Sequence, residues 1–145
     1  MAVLQWEDRF GLGVDAMDDT HREFIDLLAA LVQADAGGAP EALDRLIEHT
    51  DAHFAQEDLW MVESGWGPPC HTGEHRQVLE LMREVRRRAQ AGEAQLIEVL
   101  ARELGPWFEH HASTMDTMLA SHMAQAGYQP QRLAERGDTP LEPTA

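Results

Sequence analysis

Apolar residues recur every three or four positions along four stretches of the chain. This spacing predicts four amphipathic helices, and alternating runs typical of strands are nearly absent. The predicted helices run from Asp15 or Asp18 to a point before Gly37, from Pro40 to Gly65, from about His71 to Gly92, and from about Ala94 to Met123. Short connections between such helices favour an antiparallel up-down bundle. The fold class is therefore predicted to be an all-α four-helix bundle.

The two ends of the chain lack the helical periodicity. The first 14 residues, which include Trp6 and Phe10, predict an irregular N-terminal arm packed on the outside of the bundle. From Gln129 onward, three prolines and few large apolar residues predict a flexible tail. We expect one bundle domain over residues 1–128 and a tail over residues 129–145. Inside the fourth helix, Pro106 predicts a kink or an interruption.

Composition narrows the class of protein. A chain of 145 residues fits one domain with a single core. Its formal charge of −15 argues against nucleic acid as a partner, because phosphate binding needs basic residues. No apolar stretch approaches the ~20 residues that cross a bilayer, and no secretory signal is recognisable. The single cysteine, Cys70, cannot form an internal disulfide and indicates a reducing compartment. We expect a soluble cytoplasmic protein, monomeric or weakly oligomeric.

Polar residues occupy positions where the helices should be apolar. At about 100° per residue, His53 and Glu57 lie one turn apart near the centre of the second apolar stripe. A buried carboxylate needs a partner, and a cation is the usual one. Further histidines lie on the stripes of the other three helices: His21, His71, His75 and His111. Each could be satisfied by a backbone carbonyl, and His53 could bond Glu57. Together they would bury five imidazoles and a carboxylate without compensating charge, so the pattern predicts a metal site.

The remaining histidines are predicted to be bystanders. His49 lies on the flank of the second stripe, His110 points away from the fourth, and His122 lies near a helix end. Cys70 precedes His71, but nothing else supplies sulfur, which excludes a zinc finger.

The number of imidazoles indicates two ions. Five exceed what one divalent ion with an open position needs, whereas two irons with bridging carboxylates and a bridging oxygen would use them all. Three histidines then complete one iron at six ligands, and two histidines leave the other with an empty position. Asp116 is the candidate second carboxylate, but on an ideal helix it lies about 140° from His111. The helix would have to loosen there, and a solvated flank aspartate is an equally good interpretation.

These residues resemble the hemerythrin family in its single-domain bacterial form. Four segments carry the resemblance over residues 6–128: MDDTHREF, HFAQED, CHTGEH and WFEHHASTMD. The resemblance implies that Asp116 is a ligand, and that His111 is preferred over His110. It further implies an oxo- or hydroxo-bridged pair of irons inside the bundle. In that arrangement one iron is held by His71, His75 and His111. The other iron, which has the empty position, is held by His21 and His53. Glu57 and Asp116 bridge the two irons.

The resemblance also implies a function, which is reversible O₂ binding for storage, delivery or sensing. The O₂ pocket should be dry and apolar, and we expect it to be lined by Phe24, Ile25, Leu28, Trp60 and Leu104. Ala112 stands where the family usually has a bulkier residue, and a looser pocket wall there would make autoxidation or peroxide chemistry more accessible. The alternative functions are a di-iron enzyme that reduces peroxide or nitric oxide, an iron-handling protein, or a structural bundle loaded with zinc.

Overall fold

The computed structural model describes residues 4–136, and this part of the chain is helical without strands. Five α-helices lie within it: α1 (Asp15–Gln33), α2 (Ala39–Ser64), α3 (Pro69–Gln90), α4 (Gln95–His111) and α5 (Thr117–Ala126). A π-helical turn, Ala112–Asp116, joins α4 to α5, so that together they form the fourth rod of the bundle. Each rod packs against its neighbours in chain order, and the fourth packs back onto α1. The predicted all-α four-helix bundle is confirmed.

Glycine and proline set the ends of the helices. Gly65 ends α2 with a φ of 81°, a left-handed conformation that favours glycine, and its N–H bonds the last carbonyls of the helix. Pro40 lies in the first turn of α2, where a missing N–H costs nothing. Helix α3 begins at Pro69, two residues before the predicted start. Of the two outcomes predicted at Pro106, a kink or an interruption, the interruption is absent, because α4 continues through Pro106 to His111.

Two apolar clusters fill the core, with the polar residues between them along α2. The large cluster includes Leu43 and Leu46 from the first half of α2. The small cluster includes Trp60 and Met61 from its last two turns. Because His53 and Glu57 fall between these positions, one helix passes from apolar packing through a polar layer and back into apolar packing.

The N-terminal arm packs on the outside of the bundle, as predicted. Its residues 4–14 are irregular apart from one 3₁₀ turn, Asp8–Phe10. The Phe10 ring is buried against Phe108, with centroids 6.2 Å apart. The backbone N–H of Leu12 donates to Asp18 at 2.9 Å, which ties the arm to the first turn of α1. Residues 1–3 of the predicted arm lie outside the described residues.

The tail makes contacts that its composition did not predict. Trp60 donates from its indole nitrogen to the Gln131 carbonyl at 3.0 Å. The Leu133 N–H donates to Gln56 Oε1 at 2.9 Å. The segment 131–136 is therefore held against α2, while the rest of the predicted tail, 137–145, lies outside the described residues. Across residues 4–136, none of the helices is long and apolar enough to cross a membrane.

Candidate metal centre

All seven predicted ligands converge in the polar layer of the bundle. His21 comes from α1, His53 and Glu57 from α2, His71 and His75 from α3, His111 from the end of α4, and Asp116 from the end of the π-helical turn. Each of these side chains is buried. Their donor atoms form two groups that share Glu57: Glu57 with His71, His75, His111 and Asp116, and Glu57 with His21 and His53. Within each group the donor atoms lie within 4.8 Å of one another.

Each of the two carboxylate oxygens of Glu57 lies next to a different set of imidazoles. Its Oε2 lies 2.9 Å from His53 Nε2 and 3.5 Å from His21 Nε2. Its Oε1 lies 3.2 Å from His75 Nε2 and 3.4 Å from His71 Nε2. We call His21 and His53 the two-histidine half, and His71, His75 and His111 the three-histidine half. Glu57 presents one oxygen to each half.

Asp116 divides its oxygens in the same way. Its Oδ2 lies 3.0 Å from His21 Nε2 in the two-histidine half. Its Oδ1 lies 3.1 Å from His71 Nε2 and 3.2 Å from His111 Nε2 in the three-histidine half. Two carboxylates that each span both halves have the arrangement of bridging ligands.

The π-helical turn brings Asp116 into the centre. An ideal α-helix would place this residue about 140° from His111, five positions earlier. A π-helix bonds residues five apart, so a residue five positions later returns to a similar face. The loosened segment covers Ala112–Asp116, and the Thr117 hydroxyl donates to the Ala112 carbonyl at 2.8 Å. The loosening that a central Asp116 requires is therefore present, and Asp116 has no exposed surface.

Within residues 4–136, several central atoms lie close to one another but make no hydrogen bond of suitable geometry. They are buried and belong to both kinds of ligand: His21 Nε2, Glu57 Oε1 and Asp116 Oδ2. Buried polar atoms are otherwise almost always bonded, so a cluster of such atoms is typical of residues that can bind a cation. His75 Nε2 and His111 Nε2 also lie only 3.2 Å apart, aimed at the same place. The donor set thus fits metal cations, with nitrogen and oxygen ligands of the kind that iron prefers.

Without metal, imidazoles of the centre bind protons, and these protons supply the positive charge. Burial opposes charging of His21 and His71, but the adjacent carboxylates of Asp116 and Glu57 outweigh this effect and raise both pKa values to about 10. Burial likewise opposes charging of His75, but its hydrogen bond to Asp58 and the adjacent Glu57 carboxylate raise its pKa to about 9. Burial alone would raise the pKa of Glu57, yet the surrounding histidines hold it well below its usual range.

The predicted bystanders lie outside this layer of ligands. His49 is half-buried, and its Nε2 donates to the Thr20 carbonyl at 3.2 Å. Burial lowers the pKa of His49 to about 4, which keeps the ring neutral. His122 donates to the Ser64 carbonyl at 3.0 Å, and His110 is exposed. Cys70 is exposed at the start of α3.

The predicted O₂-pocket residues are divided between the two apolar clusters. All are buried, and four belong to the large cluster: Phe24, Ile25, Leu28 and Leu104. Trp60 belongs to the small cluster, where its indole donates to the tail. The structure therefore groups four of the five predicted residues and separates Trp60 from them.

Aromatic contacts with the ligands were missed by sequence reasoning. Phe108 lies edge-on to His21 at 5.1 Å and stacks on Phe24 at 4.9 Å. In the three-histidine half, Trp107 stacks on His111 with centroids 4.7 Å apart. Their spacing could have predicted these contacts, because Phe108 precedes His111 by three positions and Trp107 precedes it by four. Residues at these spacings share one face of a helix.

Fold and site define the class of the protein as a metal-binding four-helix bundle with a histidine and carboxylate centre. Residues 12–122 match the family model described as the hemerythrin HHE cation binding domain. The chain belongs to the hemerythrin family.

Individual relatives agree with this assignment. A bacteriohemerythrin of Ralstonia nicotianae is 43% identical over 128 residues, covering 88% of this chain and 93% of the relative. Another, from Stenotrophomonas maltophilia, is 31% identical over 129 residues, covering 85% of this chain and 83% of the relative. A third, from Methylococcus capsulatus, is 27% identical over 124 residues and covers 81% of this chain and 95% of the relative. Because nearly the whole chain is matched, the resemblance extends beyond the ligand motifs.

Proposed function

We propose that the chain binds O₂ reversibly at a pair of bridged irons, for storage, delivery or sensing. The observation that carries the proposal is the unequal division of the centre. Each carboxylate presents one oxygen to each half, but one half has three imidazoles and the other has two. When bound, the irons supply the site that takes O₂ and the electrons that are transferred to it.

The ligands would divide as follows. One iron would be held by His71, His75 and His111, and the other by His21 and His53. Glu57, Asp116 and an oxo or hydroxo group would each bridge the two irons. With three bridging ligands, the three histidines would complete about six positions on one iron. The two histidines would leave the second iron one position short. The residues of the two-histidine half thus determine where a small ligand binds.

Apolar residues beside the two-histidine half would keep water and protons away from the bound ligand. Phe24 has no exposed surface, and its ring lies 6.3 Å from that of His53. Phe108, stacked on Phe24, lies edge-on to the His21 ring. A dry environment strengthens electrostatic interactions and would keep protons away from a bound ligand. We propose Phe24, Phe108, Ile25, Leu28 and Leu104 as this apolar wall.

Stopped-flow mixing of the iron(II)-loaded protein with O₂ tests the function. The expected result is two irons per chain and a long-lived visible band that disappears when O₂ is removed. A His110→Ala variant, altered at an exposed neighbour of a ligand, should give the same band. Rapid decay of the band with turnover of added peroxide or nitric oxide would instead identify an enzyme. Zinc in the metal analysis, with no band, would identify a structural bundle.

A further inference from the structure

Two of the ligand histidines make a second contact on the side that faces away from the centre. His75 Nδ1 lies 2.9 Å from Asp58 Oδ1. His111 Nδ1 lies 2.8 Å from Glu74 Oε1. Since the Nε2 atoms of both rings face the centre, each imidazole stands between a predicted metal position and a carboxylate.

The other ligand histidines lack this support. The Nδ1 atoms of His21, His53 and His71 are buried and have no hydrogen-bond partner among the described residues. The supporting carboxylates are therefore confined to the three-histidine half, where two of three rings have one. Neither ring of the two-histidine half has one.

We propose that Asp58 and Glu74 are positioning residues that make the three-histidine half the stronger metal position. A carboxylate that accepts a hydrogen bond from Nδ1–H fixes the proton on that nitrogen and leaves the Nε2 lone pair for the metal. The negative charge also makes the imidazole a stronger donor. This inference rests on the proposed metal centre and is independent of whether the centre binds O₂.

Ring orientation and carboxylate support come from different residues. Phe54 stacks on His75 with centroids 4.0 Å apart and planes 6° apart. Trp107 stacks on His111 at 18°. These aromatic faces hold the ring planes, so removing Asp58 or Glu74 should change the proton position and charge and leave the packing intact. The Asp58 side chain is 43% exposed and that of Glu74 is 24% exposed, so neither is part of the core.

The consequence is an ordered release of iron. A chelator should remove iron first from the two-histidine half, where the rings have no carboxylate support. Weakening the support should lower the affinity of the three-histidine half and bring the two release steps closer together. Loss of an outer partner of a metal-binding histidine typically costs about 10–100-fold in metal affinity.

Anaerobic competition between iron(II) and a chelator tests the proposal on Asp58→Asn and Glu74→Gln. The matched controls are Asp51→Asn on α2 and Glu80→Gln on α3, which are exposed and do not contact a ligand histidine. We expect each test variant to bind the tighter iron about tenfold or more weakly, and each control to match the wild type. Asp58→Glu, which retains a carboxylate, should restore most of the affinity lost in Asp58→Asn.

A second readout detects which ring nitrogen of His75 and His111 carries the proton. In the metal-free protein, nitrogen NMR of labelled imidazoles should shift for His75 in Asp58→Asn and for His111 in Glu74→Gln, but in neither control. Iron affinity and ring spectra equal to those of the controls would overturn the inference. A wild type that holds two irons but fails to bind O₂ would contradict the proposed function alone, and one that binds no iron would contradict both.

Discussion

The polar layer and the large apolar cluster are equally buried, but they are stabilised in opposite ways. Leu46 and Glu57 lie on the same helix, eleven positions apart, and neither has exposed surface. Burying a leucine side chain stabilises the fold by about 1.5–3 kcal/mol without any partner. Burying an ionised carboxylate costs several kcal/mol unless charge and hydrogen bonds compensate it. The apolar cluster therefore stabilises the fold without a bound partner, whereas the stability of the polar layer depends on what it binds.

The apolar cluster and the polar layer should respond differently to mutations in α2. A change in the apolar cluster should alter stability and leave metal content unchanged. A change in the polar layer should alter metal content first. Variants and conditions that act on only one of the two regions can separate these effects.

Glu57→Ala should have the largest effect on metal content. Because Glu57 presents an oxygen to each half, its loss removes a ligand from both predicted metal positions. We expect iron to fall from two per chain to less than one, measured by metal analysis after anaerobic loading. Leu46→Ala should retain both irons, although it destabilises the fold by about 2–5 kcal/mol.

The bystander histidines provide the second control for this variant. His110 is exposed and His49 donates to a backbone carbonyl, so neither substitution by alanine should reduce the iron content. Equal loss of iron from Glu57→Ala, His49→Ala and His110→Ala would contradict the assignment of the ligands.

Removing the metal should have the next largest effect, this time on stability. A ligand present at about 1,000 times its Kd stabilises the folded state by about 4 kcal/mol. For a domain of this size, about 2–4 °C per kcal/mol gives a Tm lower by roughly 8–16 °C in the metal-free protein. Thermal unfolding followed by circular dichroism, with and without a chelator, measures the difference. Leu46→Ala should shift both curves by a similar amount, and identical wild-type curves would show that the polar layer does not depend on metal.

The same two regions explain how much the sequence could predict. The apolar stripes depend on helical periodicity alone, so the four rods and the stripe positions of His53 and Glu57 followed from local spacing. Asp116 did not follow from it, because its place depends on a π-helical turn. The residues of that turn, Ala112–Asp116, carry no recognisable signal for it. The resemblance to the family supplied Asp116 where ideal-helix geometry could not.

Contacts between residues distant in sequence were also not predicted. Gln56 accepts from Leu133 and donates to Thr20, a link across 77 and 36 positions that no periodic pattern encodes. The carboxylate contact between Glu74 and His111 likewise joins α3 to α4. Such contacts depend on how the helices are rotated against each other, which stripe positions define only coarsely.

The remaining prediction concerns the pH dependence of the metal-free protein. The folded pKa values of His21 and His71 are about 10 and that of His75 is about 9, against an ordinary value of about 6.5. Groups with raised pKa values bind more protons in the folded state, so their stabilisation is complete below about pH 6.5 and is lost as pH rises through 9 to 10. His53, whose pKa burial lowers, acts in the opposite direction only below about 6.5.

Urea unfolding of the metal-free protein at about pH 6.5 and about pH 9.5 should therefore show lower stability at the higher pH. The iron-loaded protein should lack this decline, because metal binding requires the same imidazoles to have lost their protons already. Leu46→Ala should lower the free energy of unfolding equally at both values, since the apolar cluster contains no titrating group. A metal-free protein that is equally stable at both would mean that protons do not replace the cations, and the polar layer would then be stabilised without added positive charge.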